Sequence, residues 1–435
     1  MIYGHDKMSE WYLDFVDPGY KPDKDDLVCL FRVEPAKGFS IKEAAGRVAS
    51  ESSAGTWTDL YKLPARVKKI MAIAFELKGN YVKVAYPIDL WEKGNAPQLL
   101  SGIAGNIFGM KAIDNLRLVD VSLPKVYLKY FKGPRYGVEG IRTILKVKKR
   151  PITGAVPKPK IGYSSAEHAN IGFETWMGGF DLVKDDENLT STSFNKFENR
   201  IKLMIKLRDK AEKLTGERKS ALLNITGETT EMTRKAKLLH DYGWEFAMID
   251  VVTAGTASVQ TLRNVCGDLG LAIHAHRAMH ASFDRNPKHG ITMYFLGKIM
   301  RMIGMDEIHV GTAVGKLVGS RQEVKEIADM LRATHMKKGE DNLEQKWYGI
   351  KPMLPVSSGG IHPGLIPKIM NILGNNCALL ISGGIHGHPN GTRQGAKAAM
   401  QAIDATMNKI PLEEYAKSHY ELKAALDKWG YQTPK

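Results

Sequence analysis

The clearest candidate for chemistry is the stretch Phe180 to Asn188, in which four charged residues follow an apolar run. Lys184 and Asp186 are two positions apart, so they lie on the same side of a strand. Asp186 and Glu187 supply the carboxylate oxygens that magnesium prefers. A bare ammonium would repel that metal, which leaves two alternatives. Either Lys184 forms a salt bridge with Asp186, or its neutral amine is carbamylated and becomes a third oxygen ligand.

A second cluster is His274-Ala275-His276-Arg277, with both histidines on one strand face. A His-x-His pair can bind zinc, as in barrel amidohydrolases that also use a carbamylated lysine. Those enzymes carry the pair on the first strand and the lysine later, whereas this chain has the opposite order. Histidines that simply fill a barrel interior are a further alternative. With His309, this cluster fits phosphate recognition better, because Arg and His both donate charge-assisted bonds to an anion.

Glycines follow serines at two places, Ser357-Ser358-Gly359-Gly360 and Ser382-Gly383-Gly384. Glycine lets backbone N–H groups approach a phosphate closely, although Gly-Gly alone is more often only a turn. Together with the anion site of the histidine cluster, these glycines indicate a ligand with phosphate at both ends. The loop 311–317 has hinge glycines, Gly311 and Gly315, ahead of Lys316. That pattern is typical of a lid that delivers a cation, and an ordinary surface loop is the alternative.

The elements that must position these residues are short apolar runs that alternate with amphipathic helical stretches. Strands alternating with helices predict parallel βα units, and eight such units make a closed (β/α)8 barrel. The carboxyl ends of the strands build the active site of that fold, and the polar clusters fall at those ends. The predicted strands are 152–159, 180–187, 221–227, 246–252, 271–277, 307–312, 354–360 and 378–384.

The first ~135 residues show a different order, β-α-β-β-α-β, which is typical of a ferredoxin-like α+β domain. Ser40 with Glu43 three residues later forms a capping box at the start of the first helix. A turn-rich stretch at 133–137 ends this part of the chain. We therefore predict an α/β protein with a ferredoxin-like domain at 1–136 and a TIM-barrel catalytic domain at 137–435. The predicted N-terminal strands are 27–33, 70–77, 81–86 and 116–121, with helices from residue 40 and over 97–107.

Composition excludes several classes of protein. The chain has 435 residues, 43% hydrophobic and 25% charged, as in an ordinary soluble globular protein. No apolar run approaches the ~20 residues of a membrane-spanning helix, and the first residues lack a signal peptide's apolar stretch. Cys29, Cys266 and Cys377 are far apart, which indicates reduced thiols and a cytoplasmic protein. The net charge of +15 lies in patches without aromatic interleaving, which favours a solvated basic face over nucleic-acid binding.

Over nearly its whole length the chain resembles the large subunit of ribulose-1,5-bisphosphate carboxylase/oxygenase (RuBisCO), and most closely the archaeal form III branch. Val156-Pro157 departs from the plant enzymes, which have a threonine-containing stretch before the lysine pair. The departure affects how a substrate hydroxyl is held there. The matching stretches are 51–58, 105–109, 158–160, 184–188, 276–280, 311–316 and 358–360.

The resemblance implies carboxylation, with an accompanying oxygenation, of ribulose bisphosphate to give two 3-phosphoglycerates. It implies that activator CO2 carbamylates Lys184, and that the carbamate, Asp186 and Glu187 hold Mg2+. The carbamate would remove the proton from the third carbon, assisted by His276, to give an enediol to which CO2 adds. Lys316 would stabilise the new carboxylate, and Lys158 would protonate the departing carbanion.

The resemblance also implies a substrate-binding set and a head-to-tail homodimer. One phosphate would bind at the glycines and the other at Arg277 and His309, with Lys160 orienting the metal site. Residues of the partner subunit would complete each site. One assembly that the resemblance suggests is a decamer of five dimers. It implies no small subunit, nucleic acid or membrane as a partner. The implied substrate-binding residues are Glu51, Thr56, Trp57, Asn106, Lys160, Arg277, His309, Ser358, Gly360, Gly383 and Gly384.

Two rival functions remain at the level of sequence. A RuBisCO-like enolase or isomerase would enolise a related phosphosugar without carboxylation, but such relatives usually lack part of the lysine set that this chain keeps. A basic nucleic-acid-binding protein would bind with an affinity that falls steeply with salt. The form III resemblance suggests salvage of ribose from nucleoside monophosphates such as AMP. A carbon-fixing cycle would use the same active site.

Overall fold

The computed structural model describes residues 10–58, 60–312, 314 and 320–434. The chain divides into two compact units. The N-terminal unit comprises residues up to Gly133 together with Met279–Ile303 and Ala333–Ile350, and the barrel unit comprises the rest. Within the described ranges, no helix is both long and apolar enough to cross a membrane. The predicted division at residue 136 stays a prediction.

The strands, numbered in chain order, are β1 Leu27–Pro35, β2 Ile73–Lys78, β3 Tyr81–Tyr86, β4 Ile113–Ser122, β5 Ile152–Ala155, β6 Leu182–Lys184, β7 Ser220–Asn224, β8 Phe246–Asp250, β9 Ala272–His276, β10 Gly290–Ile291, β11 Glu307–His309, β12 His335–Met336, β13 Gln345–Lys346, β14 Leu354–Ser358 and β15 Ala378–Leu380. The α-helices are α1 Glu10–Leu13, α2 Ile41–Glu51, α3 Ala65–Lys68, α4 Ala96–Ile103, α5 Lys125–Leu128, α6 Gly137–Leu145, α7 Ser165–Met177, α8 Phe197–Thr215, α9 Thr229–Asp241, α10 Val251–Leu269, α11 Ala281–Asp284, α12 Met293–Ile303, α13 Arg321–Arg332, α14 Ile366–Leu373, α15 Gly383–His386, α16 Thr392–Met407, α17 Leu412–Ala416 and α18 Tyr420–Trp429. Short 3-10 helices lie at Ile88–Leu90, Asn106–Gly109 and Pro363–Leu365.

The N-terminal unit is built on a sheet with the strand order β10-β4-β1-β3-β2. Strands β1 to β4 pair in antiparallel fashion and follow the predicted ferredoxin-like order, whereas the short β10 is parallel to β4. The capping box at the start of α2 is confirmed: Glu43 N–H donates to Ser40 Oγ at 3.2 Å, and Ser40 N–H donates to the Glu43 carboxylate at 2.8 Å. The single helix predicted over 97–107 is wrong in its second half. Asn95 caps α4, which ends at Ile103, and a separate 3-10 helix follows.

A buried ion pair explains why two later segments belong to the N-terminal unit. Lys298 on α12 lies 2.7 Å from the Asp120 carboxylate on β4, and both side chains are fully buried. The backbone N–H of Leu343 donates to the same carboxylate at 2.8 Å. A buried charge needs partners, so Asp120 binds both later segments to β4. The sequence offered no local signal for this long-range pairing.

The barrel unit contains the predicted eight parallel strands, closed in the order β5-β6-β7-β8-β9-β11-β14-β15. Its core is formed by apolar residues spaced two apart along the strands, such as Phe246 and Met248 or Leu354 and Val356. Alternation along a strand sends every second side chain to the same face, so these residues fill the barrel interior. The helix α6 adds three apolar side chains to the same core.

Each predicted barrel strand extends beyond the observed carboxyl end. β5, for example, ends at Ala155 and not at residue 159, because Val156 N–H donates to the Ser382 hydroxyl and not to a neighbouring strand. The run predicted at 378–384 contains a strand that ends at Leu380 and then the short helix α15. The polar residues at these ends take up backbone hydrogen bonds that a longer ladder would have used. The three cysteines are buried and free, as predicted.

We predict that either Asp120→Leu or Lys298→Met alone lowers the free energy of unfolding by about 3 kcal/mol, because each leaves a buried charge without its partner. The double variant should recover most of the loss, since no charge then remains buried. Calorimetric unfolding of the four proteins measures both effects. Asp329→Ala, which removes an exposed ion-pair partner of Lys325, is the control and should change little. Additive losses in the double variant would contradict the pairing.

Candidate active site

The barrel unit has a cavity of about 620 Å³ at the carboxyl ends of its strands. The end of the barrel at which it opens is the end that hosts catalysis in this architecture. Its lining brings together residues from strands β5, β6, β9, β11, β14 and β15 or from the loops that follow them. The predicted site residues among them are Lys158, Lys160, Lys184, Asp186, Glu187, His276, His309, Ser358, Gly360, Gly383 and Gly384.

The other predicted site residues lie elsewhere. Arg277 is buried at the end of β9, and a Cβ at Gly311 would lie 3.3 Å from its guanidinium. Lys316 lies outside the described residues. The remaining predicted site residues belong to the N-terminal unit and are Glu51, Thr56, Trp57 and Asn106. Trp57 is 68% exposed, and the Thr56 carbonyl accepts a hydrogen bond from the indole N–H of Trp11.

Lys184 is the last residue of β6, and its side chain is almost fully buried. Its Nζ donates to the Asp185 carbonyl at 2.8 Å. Burial lowers the pKa of this amine, although the carboxylates of Glu187, Asp186 and Asp250 act in the opposite direction. A lowered pKa makes the neutral amine, which is the form that reacts with CO2, more abundant near neutral pH. The site therefore disfavours a permanent ammonium at Lys184.

Asp186 pairs with Lys158 and not with Lys184, so the salt bridge considered from the sequence forms with a different lysine. Lys158 Nζ lies 3.2 Å from Asp186 Oδ2, while Asn188 donates to Oδ1 through both its backbone and side-chain nitrogens at 3.1 Å. Burial would raise the pKa of Asp186, but the Asn188 hydrogen bonds and the Lys158 ammonium hold it below its ordinary value. Asp186 is therefore an anion near neutral pH.

Asp185 anchors the charged loop from inside the protein. Its Oδ2 accepts from Arg200 Nη2 at 2.9 Å and from the Asn224 backbone N–H at 2.9 Å, and His168 Nε2 lies 3.1 Å from Oδ1. Burial opposes its ionisation, but the Arg200 charge and these contacts lower its pKa to about 2. This ion pair fixes the backbone between Lys184 and Asp186. Its structural role could not be predicted from the sequence, because nothing local distinguishes Asp185 from its acidic neighbours.

His276 extends from β9 into the cavity opposite the charged loop. Its Nδ1 lies 2.7 Å from Asp250 Oδ1 and its Nε2 lies 3.6 Å from Glu187 Oε2. The Asp250 carboxylate can only accept, which places the proton of a neutral imidazole on Nδ1. Burial lowers the pKa of His276, so the neutral form prevails. Nε2 is then free to take a proton from a ligand in the cavity.

The predicted glycines form part of the cavity wall, and at Gly384 there is no room for a side chain. A Cβ at Gly384 would lie 2.3 Å from the Ile361 carbonyl, so only glycine allows α15 to pack against the loop after β14. A Cβ at Gly383 would meet no atom within 4 Å, so the backbone there faces open space. The first N–H groups of a helix have no partner within it, and a phosphate oxygen can take that place.

The donor set fits a hard divalent cation only after Lys184 has been modified. No cluster of three or more His, Cys, Asp and Glu side chains that could hold a metal occurs in the part of the chain that the structure describes. Asp186 and Glu187 supply two carboxylates, and the buried Lys184 amine beside them would supply the third as a carbamate. Three oxygen ligands with room for substrate and water suit magnesium.

Two family models match the chain. The model of the ribulose bisphosphate carboxylase large chain, catalytic domain, matches residues 137–429, and that of its N-terminal domain matches residues 14–127. A ribulose bisphosphate carboxylase of Pyrococcus abyssi is 53% identical over 98% of both chains. One of Archaeoglobus fulgidus is 47% identical over 98% of this chain and 99% of its own length.

Solved structures give the same result. A dimeric archaeal RuBisCO from Hyperthermus butylicus superposes with a TM-score of 0.92 at 48% identity, covering 97% of this chain and 99% of the other. An octameric RuBisCO from Pyrococcus horikoshii, solved as a complex with sulfate ion, has a TM-score of 0.91 at 50% identity over 98% of both chains. The predicted fold of an N-terminal domain followed by a TIM barrel is thereby confirmed.

We predict that Asp185→Asn destabilises the protein at neutral pH, because Arg200 then has no carboxylate. The wild-type carboxyl has a folded-state pKa of about 2, below its ordinary 3.8. A lowered pKa stabilises the fold above the ordinary value, by about 2 kcal/mol here, and this contribution is lost as the pH falls through 2. The Tm difference between wild type and variant should therefore be constant from pH 7 to about 4 and shrink below it. A pH-independent difference would contradict the assignment.

Proposed function

The chain belongs to the ribulose bisphosphate carboxylase large-chain family, and on that premise we propose that it carboxylates ribulose 1,5-bisphosphate to two molecules of 3-phosphoglycerate. One observation carries the proposal. The cavity at the carboxyl ends of the barrel strands holds a buried lysine of lowered pKa, two carboxylates, a lysine at its rim and a histidine with an available Nε2. An oxygenase reaction at the same site is part of the proposal. Incorporation of labelled bicarbonate into 3-phosphoglycerate tests it.

Magnesium would be held by Asp186, Glu187 and the carbamate of Lys184. When bound, the ion polarises the ketone and a hydroxyl of the substrate and stabilises negative charge at their oxygens. Asp186 and Glu187 are suited to bind a cation, because Asp186 is ionised and Asp185 fixes the backbone that carries both side chains. Asn188 and Lys158, which contact Asp186, orient its two oxygens before any cation arrives.

The roles of the side chains follow from their positions. His276 has Asp250 behind it, so it can accept a proton at Nε2 while the carboxylate stabilises the resulting imidazolium. Lys158 reaches the cavity with its ammonium 3.2 Å from Asp186, and in this position it can donate a proton to a carbanion formed late in the reaction. Lys160 also lines the cavity and adds positive charge for an anionic substrate.

The two ends of the bisphosphate would be recognised by different chemistry. The wall formed by Gly360, Gly383 and Gly384 offers backbone N–H groups to one phosphate. Arg277, just after strand β9, would offer its guanidinium to the other phosphate, while His309 on the neighbouring strand β11 has both ring nitrogens bonded within the protein, to His274 and Ser358. A substrate bound at both ends would hold its reacting carbons between Lys184 and His276. Fixing the substrate in this way lowers the entropic cost of reaching the transition state.

We also propose that the functional unit is a head-to-tail dimer. The relatives described above include a dimeric and an octameric enzyme. In the N-terminal unit, Trp57, Leu60 and Tyr61 are exposed large apolar side chains close in sequence, which is typical of a surface that a partner covers. Glu51, Thr56, Trp57 and Asn106 would then complete the barrel site of the partner subunit. A decamer of five dimers remains one candidate for a larger assembly.

We predict that activity requires preincubation with magnesium and bicarbonate and that Lys184→Ala abolishes it. The lowered pKa of Lys184 means that the amine becomes neutral at a lower pH than an ordinary lysine, so activation extends toward neutrality and is lost as protonation sets in below it. Carbamate trapping followed by peptide mass spectrometry should locate the adduct on Lys184. Lys206→Ala, at an exposed position of α8, is the control. Full activity after exhaustive removal of CO2 and magnesium would exclude the carbamate.

A second prediction tests the shared site. Lys184→Ala and Asn106→Ala homodimers should each be nearly inactive, because every site carries one defect. In a mixed head-to-tail dimer one site carries both defects and the other carries none, so random pairing should restore up to about a quarter of wild-type activity. Co-expression with two affinity tags isolates the mixed dimers for assay. Inactive mixed dimers would show that each site is built within one chain.

A further inference from the structure

Four side chains form a continuous hydrogen-bonded chain from the barrel interior to the cavity. Glu307 Oε1 lies 2.7 Å from His274 Nδ1, His274 Nε2 lies 2.9 Å from His309 Nε2, and His309 Nδ1 lies 2.6 Å from Ser358 Oγ. Glu307, His274 and His309 are buried, and the lining of the cavity includes His309 and Ser358. The functional roles described above use only the cavity end of this chain. We refer to the four residues as the Glu307 chain.

The Glu307 chain can carry its protons in only two arrangements. Burial lowers the pKa of both His274 and His309 far below the ordinary value, so each imidazole is neutral and has one donor and one acceptor nitrogen. If Glu307 accepts from His274, every bond points toward Glu307, and Ser358 must donate its hydroxyl proton to His309. If Glu307 donates, every bond points the other way, and the Ser358 proton is free to face the cavity.

The surroundings of Glu307 favour the second arrangement. Its Oε2 is buried without a hydrogen-bond partner among the residues that the structure describes, which disfavours a carboxylate anion. Burial raises the pKa of Glu307 to about 8, and the nearby cation that opposes this shift is Lys184. Carbamylation would replace that cation with an anion and favour the neutral acid further. Asp250 and His276 also act on His274, and Arg277 acts on His309.

We propose that Glu307 and His274 are positioning residues that orient the active site through His309. Glu307, as a neutral carboxylic acid, donates to His274 Nδ1, His274 Nε2–H donates to His309, and His309 Nδ1–H donates to Ser358. Ser358 is thereby held as a hydrogen-bond donor toward the cavity. The phosphate, hydroxyl and developing oxyanion groups of a sugar bisphosphate are all acceptors, so this direction suits the substrate of the proposed function, on which this part of the inference rests.

Imidazole tautomers provide a test that does not depend on activity. In protein labelled with 15N-histidine and held near pH 7, long-range 1H–15N spectra distinguish protonated from unprotonated ring nitrogens. His274→Gln and His309→Gln variants assign the two signals among the 13 histidines. We expect the proton of His309 on Nδ1 and that of His274 on Nε2. The opposite tautomer at both residues would overturn the proposal, whether or not the enzyme carboxylates ribulose bisphosphate.

Three variants separate positioning from a merely structural role. Glu307→Gln keeps a donor of similar length, so both tautomers should persist and kcat/KM should stay within about threefold of wild type. Glu307→Met removes the donor, so the tautomers should become mixed and kcat/KM should fall roughly tenfold. The control is Asp306→Asn on the neighbouring residue, a buried acid that accepts from the backbone N–H groups of Tyr136, Gly137 and Ile273. It should lower Tm without changing either tautomer.

The outcomes are separable. If wild type lacks carboxylase activity but shows the expected tautomers, the proposed function fails and the Glu307 chain stands. If Glu307→Met leaves the His309 tautomer and kcat/KM unchanged, Glu307 does not position the site. Should Glu307→Met not fold, the tautomers of wild type and Glu307→Gln still decide the direction of the chain.

Discussion

The burial of one lysine amine among carboxylates determines most of what this barrel can do. Lys184 is inaccessible to solvent at the end of β6, and desolvation lowers its pKa. A buried ammonium is costly unless it is paired, and the structure pairs Asp186 with Lys158 and Asp185 with Arg200 instead. An amine of lowered pKa therefore lies beside the carboxylates of Asp186 and Glu187. In the proposed function, reaction with CO2 would convert the amine into a third oxygen ligand.

The remaining elements hold that arrangement in place. The Asp185–Arg200 pair fixes the backbone of the charged loop from the protein side, while Asn224 on β7 donates its side-chain amide to the carbonyls of Asp186 and Glu187. Asp250 orients His276 across the cavity. Apart from Arg200 on α8, the residues in these contacts lie on, or just after, strands β6 to β9, which are neighbours in the barrel. Because the barrel is closed and parallel, side chains at successive strand ends converge on one point, which loops alone would not achieve.

Much of this was predictable from the sequence, and the parts that were not share a physical reason. Periodicity identified the eight strands, and chemical type identified the residues that line the cavity, because polar residues directly after apolar runs must lie at strand ends. Strand ends, the split of α4 from the following 3-10 helix and the Asp120–Lys298 pair were missed. The strand ends and the Asp120–Lys298 pair depend on partners distant in the chain, such as Ser382 for Val156 or Leu343 for Asp120. Local patterns carry no information about such partners.

Glu307 shows most clearly how the fold changes the meaning of a residue. In the sequence it is an acidic residue at the start of an apolar run, a position usually exposed at the edge of a strand. In the barrel, Glu307 is the first residue of the short strand β11. It pairs with His274 of β9, and its side chain is buried beside that histidine. An acid in that place cannot be solvated, so its neutral form becomes a donor and not a charge. The carboxylates of Asp185 and Asp186 are thus ionised whereas the carboxyl group of Glu307 is neutral, and their different partners allow both states at the same pH.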